Sequence, residues 1–283
     1  MNIGFVVHGG RSGAVEAAIK LVEWCRVRNL ATRSLAEGVG ADEARAPESF
    51  VEGLDLVVSV GGDGTLLRAA LLASEADAPV LGVKVARLGF LTECEPDEAP
   101  AVLESFMAGE LEVDERTALV AVPEDAGWDE PQWALNEVIV EKRSPPRMVT
   151  LGTFVGEDEI TTFSADGVIV ATATGSTAYS FAARGPIVSP RLACLILTPV
   201  APHMVFDRAI VLAPHERVTL EVRGREPGLL SADGRPAREL PVGSRVHIGR
   251  ADHPARLLRR KTSESFYSLL RRKFSLPAGP PGG

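Results

Sequence analysis

Apolar and polar positions fall into two textures along this chain, and the change comes near residue 116. Before it, short apolar runs alternate with stretches of helical spacing. NIGFVVH (2–8), LDLVVSV (54–60) and APVLGVKV (78–85) read as buried strands. Residues 13–29 carry Val, Ala, Leu, Trp and Cys at helical spacing, and a second helix is predicted from about Thr65 to Ala73. Strand–helix–strand alternation at this spacing predicts an α/β domain with a doubly wound, mostly parallel sheet.

Beyond 116 the runs are short or alternating and are separated by turns. They cover 118–123, 133–142, 148–155, 159–172, 193–200, 209–214, 217–224, 229–240 and 244–250. With Asp-Gly and Pro-Gly punctuation, this predicts an all-β domain of antiparallel strands. One helical stretch, TGSTAYSFAARG (174–185), interrupts it. The tail SESFYSLLRRKF (263–274) reads as a helix whose apolar residues return it to the first domain. The expected division is 1–115, with the tail 255–283 packing back on it, and 116–254. The closing AGPPGG (278–283) reads as disordered.

Composition narrows the function. At 283 residues and 45% hydrophobic content the chain can bury sizeable cores, and its net charge of −8 argues against nucleic acid or an anionic membrane as partner. LLRRK at 257–261 and again at 269–273 reads as a solvated helical face. The three cysteines are widely separated, with no CxxC and no Cys/His cluster, so neither a disulfide framework nor a zinc site is expected. No His/Asp/Glu spacing points to a bound structural metal. The first residues lack a basic region and a cleavage site, and no apolar run approaches membrane-spanning length, so a cytoplasmic protein is expected.

The stretch with chemistry in it is LDLVVSVGGDGTLLRAALL (54–72). Gly61, Gly62 and Gly64 stand at the carboxyl end of a predicted strand and the start of a predicted helix, where α/β folds bind ligands. Such a turn can bring backbone N–H groups against an anion, aided by the helix N-terminus and the Thr65 hydroxyl. It is neither a Walker loop nor GxGxxG. Asp63 would repel a bare phosphate, yet it can accept the proton of a hydroxyl attacking one, or help to hold Mg²⁺. Phosphoryl transfer depends on positioning and charge neutralisation more than on a strong base. A helix cap is the other reading of Asp63. His8, at the carboxyl end of the first strand, reads as a loop residue, and His203 as one shaping a turn.

GGDGT (61–65) resembles the signature shared by NAD kinases, diacylglycerol kinases and sphingosine kinases, and further stretches separate these. DGVIVATATGSTAYSFAARGP (166–186) resembles the NAD kinase segment DGxxxxTPTGSTAY, and ALNEVIVEK (134–142) its Asn-Glu motif. LGVKVARLGFL (81–91) and TPVAPHMVFDRAIVL (198–212) are similar to two more stretches of the NAD kinase family, all in the family's order. The resemblance implies the two-domain fold above, ATP or a related donor with a divalent metal (Mg²⁺), and NAD as acceptor through its adenosine-ribose 2′-hydroxyl. It also implies a homodimer or homotetramer. Asp63 then matches the catalytic aspartate, and Gly61, Gly62, Gly64 and Thr65 the donor phosphate turn. Phe90 and Leu91 match an apolar wall beside the adenine. Asn136 and Glu137 match the pair that binds the dinucleotide hydroxyls and adenine side. Asp166 matches a carboxylate reaching the nicotinamide half. Thr174, Gly175, Ser176, Thr177, Ala178 and Tyr179 match the loop around the acceptor, with Ala182 in the adenine pocket.

Five positions depart from the family pattern. Lys84 replaces an asparagine, Ala86 a glycine, Ala173 a proline, and the stretch after the tyrosine has Ala182 and Arg184 in place of serine and glycine. An alternative reading follows from them: with the acceptor pocket altered at Lys84, Ala182 and Arg184, the enzyme phosphorylates a related adenine nucleotide or nucleoside, Lys84 and Arg184 meeting an extra phosphate or carboxylate. A separate reading, in which the acceptor pocket is closed, is a nucleotide-binding regulator without turnover.

Overall fold

The computed structural model describes residues 1–35, 39–85 and 89–277. The chain divides into two units, Met1–Glu115 with Ala255–Gly283, and Arg116–Pro254. The first opens with β1 (Asn2–Val7), α1 (Ser12–Val27), β2 (Ala31–Ser34), β3 (Glu43–Ala44) and α2 (Pro47–Phe50). It continues through β4 (Leu56–Gly61), α3 (Asp63–Glu75), β5 (Val80–Lys84), α4 (Ala99–Met107) and β6 (Glu112–Arg116). β1 pairs in parallel with β2 and β4, and β4 with β5. Every residue of β4 is buried, as expected of a parallel strand covered on both faces. Ala14, Ala18, Leu21, Val22 and Cys25 share one face of α1 and one core with Phe5, Val58 and Leu81. Each leucine or phenylalanine so withdrawn from water contributes about 1.5–3 kcal/mol relative to exposure. α3 begins two residues earlier than its spacing predicts, because the extended Gly62 serves as its N-cap and Asp63 is already helical.

The second unit contains β7 (Leu119–Glu124), β8 (Gln132–Ala134), β9 (Glu137–Lys142), β10 (Val149–Val155), β11 (Asp158–Ala165) and β12 (Gly167–Thr172). A 3-10 turn, Gly175–Thr177, and the four-residue α5 (Tyr179–Ala182) follow. Then come β13 (Leu195–Val200), β14 (Ile210–Leu212), β15 (Val218–Arg223), β16 (Gly228–Ala232), β17 (Arg238–Leu240) and β18 (Arg245–Arg250). These form two six-stranded sheets, ordered β11-β10-β15-β18-β7-β8 and β14-β13-β12-β9-β16-β17. Their pairings are antiparallel. Leu151, Leu220 and Ile248 of the first sheet and Val138, Val140, Val168 and Val170 of the second share one core. Strand alternation turns Ile139, Ile169, Ala171 and Ile196 to the other face of the second sheet, where Ala173, Val188 and Cys194 pack over them.

Three runs that read as single strands are broken in the structure. The run 133–142 divides between β8 and β9, and 159–172 divides at Asp166 between β11 and β12, the halves lying in different sheets. The run 229–240 is a hairpin of β16 and β17 around Asp233. The stretch 174–185 is not one helix either, because Ala178 leaves the helical region at φ −104° and ψ −125°.

After the second unit, β19 (Ala255–Arg259) pairs in parallel with β5 and completes a seven-stranded sheet ordered β3-β2-β1-β4-β5-β19-β6. The run 257–261 is therefore not a solvated helical face. Leu257 and Leu258 are buried in a strand, and Arg259 and Arg260 pair with Glu93. α6 (Phe266–Lys273) follows, capped by the Ser265 hydroxyl, which accepts from the Ser268 N–H. Among the described residues no helix is long and apolar enough to cross a membrane.

Candidate functional site

In the first unit, β4 hands directly over to α3 at the glycine turn. Thr65 packs over Gly61, where a Cβ would stand 2.4 Å from the Thr65 Oγ1. Gly62 and Gly64 instead face open space. A cleft of about 550 Å³ lies there, lined by Gly62, Asp63, Gly64 and Thr65, by His8, Gly9, Gly10 and Arg11 after β1, and by Arg68 of α3. A helix N-terminus with two guanidinium groups at its side is suited to a phosphate chain.

The Asp63 carboxylate is held by backbone rather than by side chains. The Phe90 N–H donates to its Oδ2 at 3.0 Å and the Leu91 N–H to its Oδ1 at 3.3 Å. Gly89 makes this approach possible, since a Cβ there would fall 1.9 Å from Oδ1. The loop is fixed in turn by the tail. Arg259 donates to the Phe90 carbonyl at 3.2 Å and pairs with Glu93 at 3.1 Å, while Arg260 pairs with Glu93 at 3.0 Å. Glu93 is almost wholly buried, and two guanidinium partners offset its desolvation. The Phe90 ring lies 5.9 Å from Phe266 and 6.4 Å from Phe274. Lys273 Nζ stands 3.9 Å from Asp63 Oδ2 and 4.2 Å from the centroid of the Phe90 ring. Lys84 has its ammonium 2.9 Å from Glu95. Ala86 lies outside the described residues.

In the second unit the break between β8 and β9 carries Asn136 and Glu137. Asp233, at φ +49° in the β16–β17 turn, folds its carboxylate over that break. It accepts from the N–H groups of Leu135 at 2.7 Å, Asn136 at 2.8 Å and Glu137 at 3.1 Å. Glu137 borders a cavity of about 290 Å³ shared with Tyr179, Asp233 and Arg235. Its Oε2 is buried without a hydrogen-bond partner. Burial, and after it the charge of Asp233, pushes the Glu137 carboxyl up to about 8, against the opposing Tyr179 N–H. Burial also raises Asp233, against its three N–H donors.

The segment 174–179 is locked to these residues. Gly175 sits so close that a Cβ would lie 2.1 Å from the Asn136 carbonyl oxygen. Ser176 donates to the Val188 carbonyl at 3.2 Å and accepts from the Val188 N–H at 3.0 Å, so its hydroxyl is committed to the fold. Thr174 accepts from Arg116 at 3.4 Å, and Thr177 donates to the Thr174 carbonyl at 3.4 Å. Ala178 is half-buried, whereas Tyr179 and Ala182 are exposed. Asp166 pairs with Lys142 at 2.6 Å. Arg184 is exposed at φ +67°, a left-handed conformation that favours the glycine expected there.

The sequence reading missed Arg11 and Arg68 at the glycine turn, the Arg259–Glu93–Arg260 grip, Lys273 and Asp233. SADGRP (231–236) did carry a signal, but an Asp-Gly pair reads first as turn punctuation. Arg68 stands one turn along α3 from the glycines, where an arginine reads as an ordinary solvated helix residue; the rest come from elements distant in sequence.

Comparison with known proteins adds the following. The model of the ATP-NAD kinase N-terminal domain matches residues 3–111, and that of the ATP-NAD kinase C-terminal domain matches residues 135–260. NAD kinase 1 of Streptomyces coelicolor is 37% identical over 99% of this chain and 87% of its own length. The NAD kinase of Geobacter sulfurreducens is 38% identical over 94% and 95%. Of solved structures, the NAD kinase from Archaeoglobus fulgidus in complex with ATP superposes with a TM-score of 0.77 at 26% identity, covering 97% of this chain and 98% of that one. Yeast NADH kinase complexed with NADH gives 0.86 over 98% and 87%, and at 23% identity it speaks to the fold alone. Two domain models in sequence order and relatives matched over nearly their whole lengths establish that the chain belongs to the NAD kinase family.

Proposed function

We propose that this protein transfers the terminal phosphoryl group of ATP to the 2′-hydroxyl of the adenosine ribose of NAD, forming NADP. The observation that carries the reading is the carboxylate of Asp63, fixed by two backbone N–H groups at the mouth of a cleft built for phosphates. Asp63 accepts the proton of the ribose hydroxyl while that oxygen bonds to the terminal phosphorus. The bond from phosphorus to the bridging oxygen breaks, and ADP leaves with its electron pair. Gly62, Gly64 and Thr65 at the N-terminus of α3 bind the donor phosphates, with Gly61 beneath them. The divalent metal, Mg²⁺, enters as part of the donor, held mostly by phosphate oxygens. Among the described residues no group of three or more His, Cys, Asp or Glu side chains gathers as a metal cluster.

The second unit supplies the acceptor pocket. The unpartnered Oε2 of Glu137 supports this assignment, since ribose hydroxyls are the donors it lacks. Asn136 complements it with an amide, and Thr174, Gly175, Ser176, Thr177, Ala178 and Tyr179 shape the wall, flanked by Ala182. Phe90 and Leu91 border the adenine, and Asp166 the nicotinamide half. The protein works in the cytoplasm as a homo-oligomer, a reading supported by its three buried free cysteines and by exposed Ile187, Leu192, Val205 and Val211.

The test is incubation with ATP, Mg²⁺ and NAD, with product followed by an NADP-specific dehydrogenase. NADP accumulates under this proposal. Folded protein that binds ATP and yields no NADP refutes it.

A further inference from the structure

The C-terminal helix enters the site at one atom. Lys273, on the last turn of α6, brings its Nζ to 3.9 Å from Asp63 Oδ2, with about a third of each side chain exposed. That separation is too long for a hydrogen bond, so the pair is held by charge alone and the ammonium N–H donors are not spent on Asp63. The same Nζ stands over the Phe90 ring at 4.2 Å, and that ring is seated between Phe266 and Phe274. Phe90 thus serves both partners: its backbone N–H fixes the carboxylate, and its ring face seats the cation.

We infer that Lys273 is the side chain that recognises the transferable phosphoryl group of the donor, an assignment that rests on the kinase reading above. A hydroxyl giving its proton to Asp63 stands within about 3 Å of that carboxylate. The phosphorus it attacks lies about 3–3.5 Å further on. Non-bridging oxygens on that phosphorus fall within the sweep of an ammonium already beside Asp63. As negative charge arrives, Lys273 exchanges a loose carboxylate contact for phosphate oxygens. The helix terminus explains a basic last turn in general, through the negative end of its dipole. It does not explain which member faces Asp63: Arg272 turns away to Glu264 at 2.5 Å. Arg11 and Arg68 line the cleft beside Gly62 and Gly64 and serve the remaining phosphates. A compact, mobile lysine suits a group in transit better than a planar guanidinium clamp.

The experiment compares ATP and ADP binding by calorimetry in the wild type, Lys273→Met and Lys273→Arg, full-length and with Mg²⁺. Lys273→Met weakens ATP binding by about 10-fold, the loss of one charge-assisted contact. ADP, which lacks the terminal group, binds within about twofold of wild type, and Lys273→Arg recovers part of the ATP preference. NADP formation by Lys273→Met falls by about 10²–10³-fold, as for a group that meets charge developing in the transition state. A structural role moves both affinities together along with the melting temperature. That outcome, or an unchanged ATP-to-ADP ratio, overturns the inference. A wild type that forms no NADP refutes the kinase reading instead, and the ATP-to-ADP ratio still decides the role of Lys273.

Discussion

At neutral pH the empty protein keeps a proton on Glu137, whose carboxyl is pushed up to about 8 by burial and by the neighbouring Asp233. In the unfolded chain the same group loses its proton near 4.5. The folded state therefore binds more protons between these values, and the stability of the empty protein falls as pH rises from about 4.5 to about 8. Hydroxyl donors from a ribose favour the ionised carboxylate, so acceptor binding at pH 7 releases a proton. Calorimetry in two buffers of different ionisation enthalpy measures that release. Glu137→Gln abolishes it and weakens acceptor binding by about 10–100-fold, the loss of a hydrogen bond to a charged group. Proton release that persists in Glu137→Gln assigns it elsewhere. From the sequence, the Asn-Glu pair is visible as residues, and neither the burial of Glu137 nor its unpartnered oxygen is. Both depend on residues far away in the chain, among them Tyr179 and Asp233, which share its cavity.

The strands of the second unit were legible as strands, but their breaks were not. WALNEVIVEK (133–142) looks continuous because Ala134, Leu135 and Val138 are all apolar enough to belong to one strand. What divides it is the Asp233 carboxylate, which takes three successive N–H groups out of strand pairing. A turn residue reached from a different hairpin leaves no local trace. Asp233→Asn replaces an acceptor oxygen by an amide N–H facing backbone donors. It is expected to lower unfolding stability by about 2–3 kcal/mol in denaturant titration. It also removes the negative charge beside Glu137 and so brings the Glu137 titration down from about 8. A full loss of stability with the Glu137 titration unmoved separates Asp233 from the site. The glycine turn was easier to read, because it lies within one strand–turn–helix unit whose residues are neighbours in sequence. The loop that holds Asp63 was visible only through resemblance, since Phe90 and Leu91 come from beyond the next strand.

The path of the whole chain makes the tail part of the first unit's sheet. β19 lies between β5 and β6, and the Arg259–Glu93–Arg260 cluster ties it to the loop that carries Phe90. A protein ending at Pro254 leaves β5 with an unpaired edge and Glu93 buried without cations. Such a truncation is expected to be insoluble or to melt at least ~10 °C below the full chain, a loss of several kcal/mol; an unchanged melting temperature contradicts the placement of β19. The sequence showed an apolar tail helix and could not show a strand completing a sheet whose other strands precede it by more than a hundred residues.

The most direct test concerns Asp63. NADP formation from ATP and NAD is compared between the wild type and Asp63→Asn, with melting temperature and ATP affinity measured on both. Loss of a proton acceptor that also orients the attacking hydroxyl lowers kcat by about 10²–10⁴-fold. ATP still binds, because the cleft keeps Gly62, Gly64, Arg11 and Arg68. An Asp63→Asn protein that folds, binds ATP and turns over NAD at the wild-type rate contradicts the account at its centre.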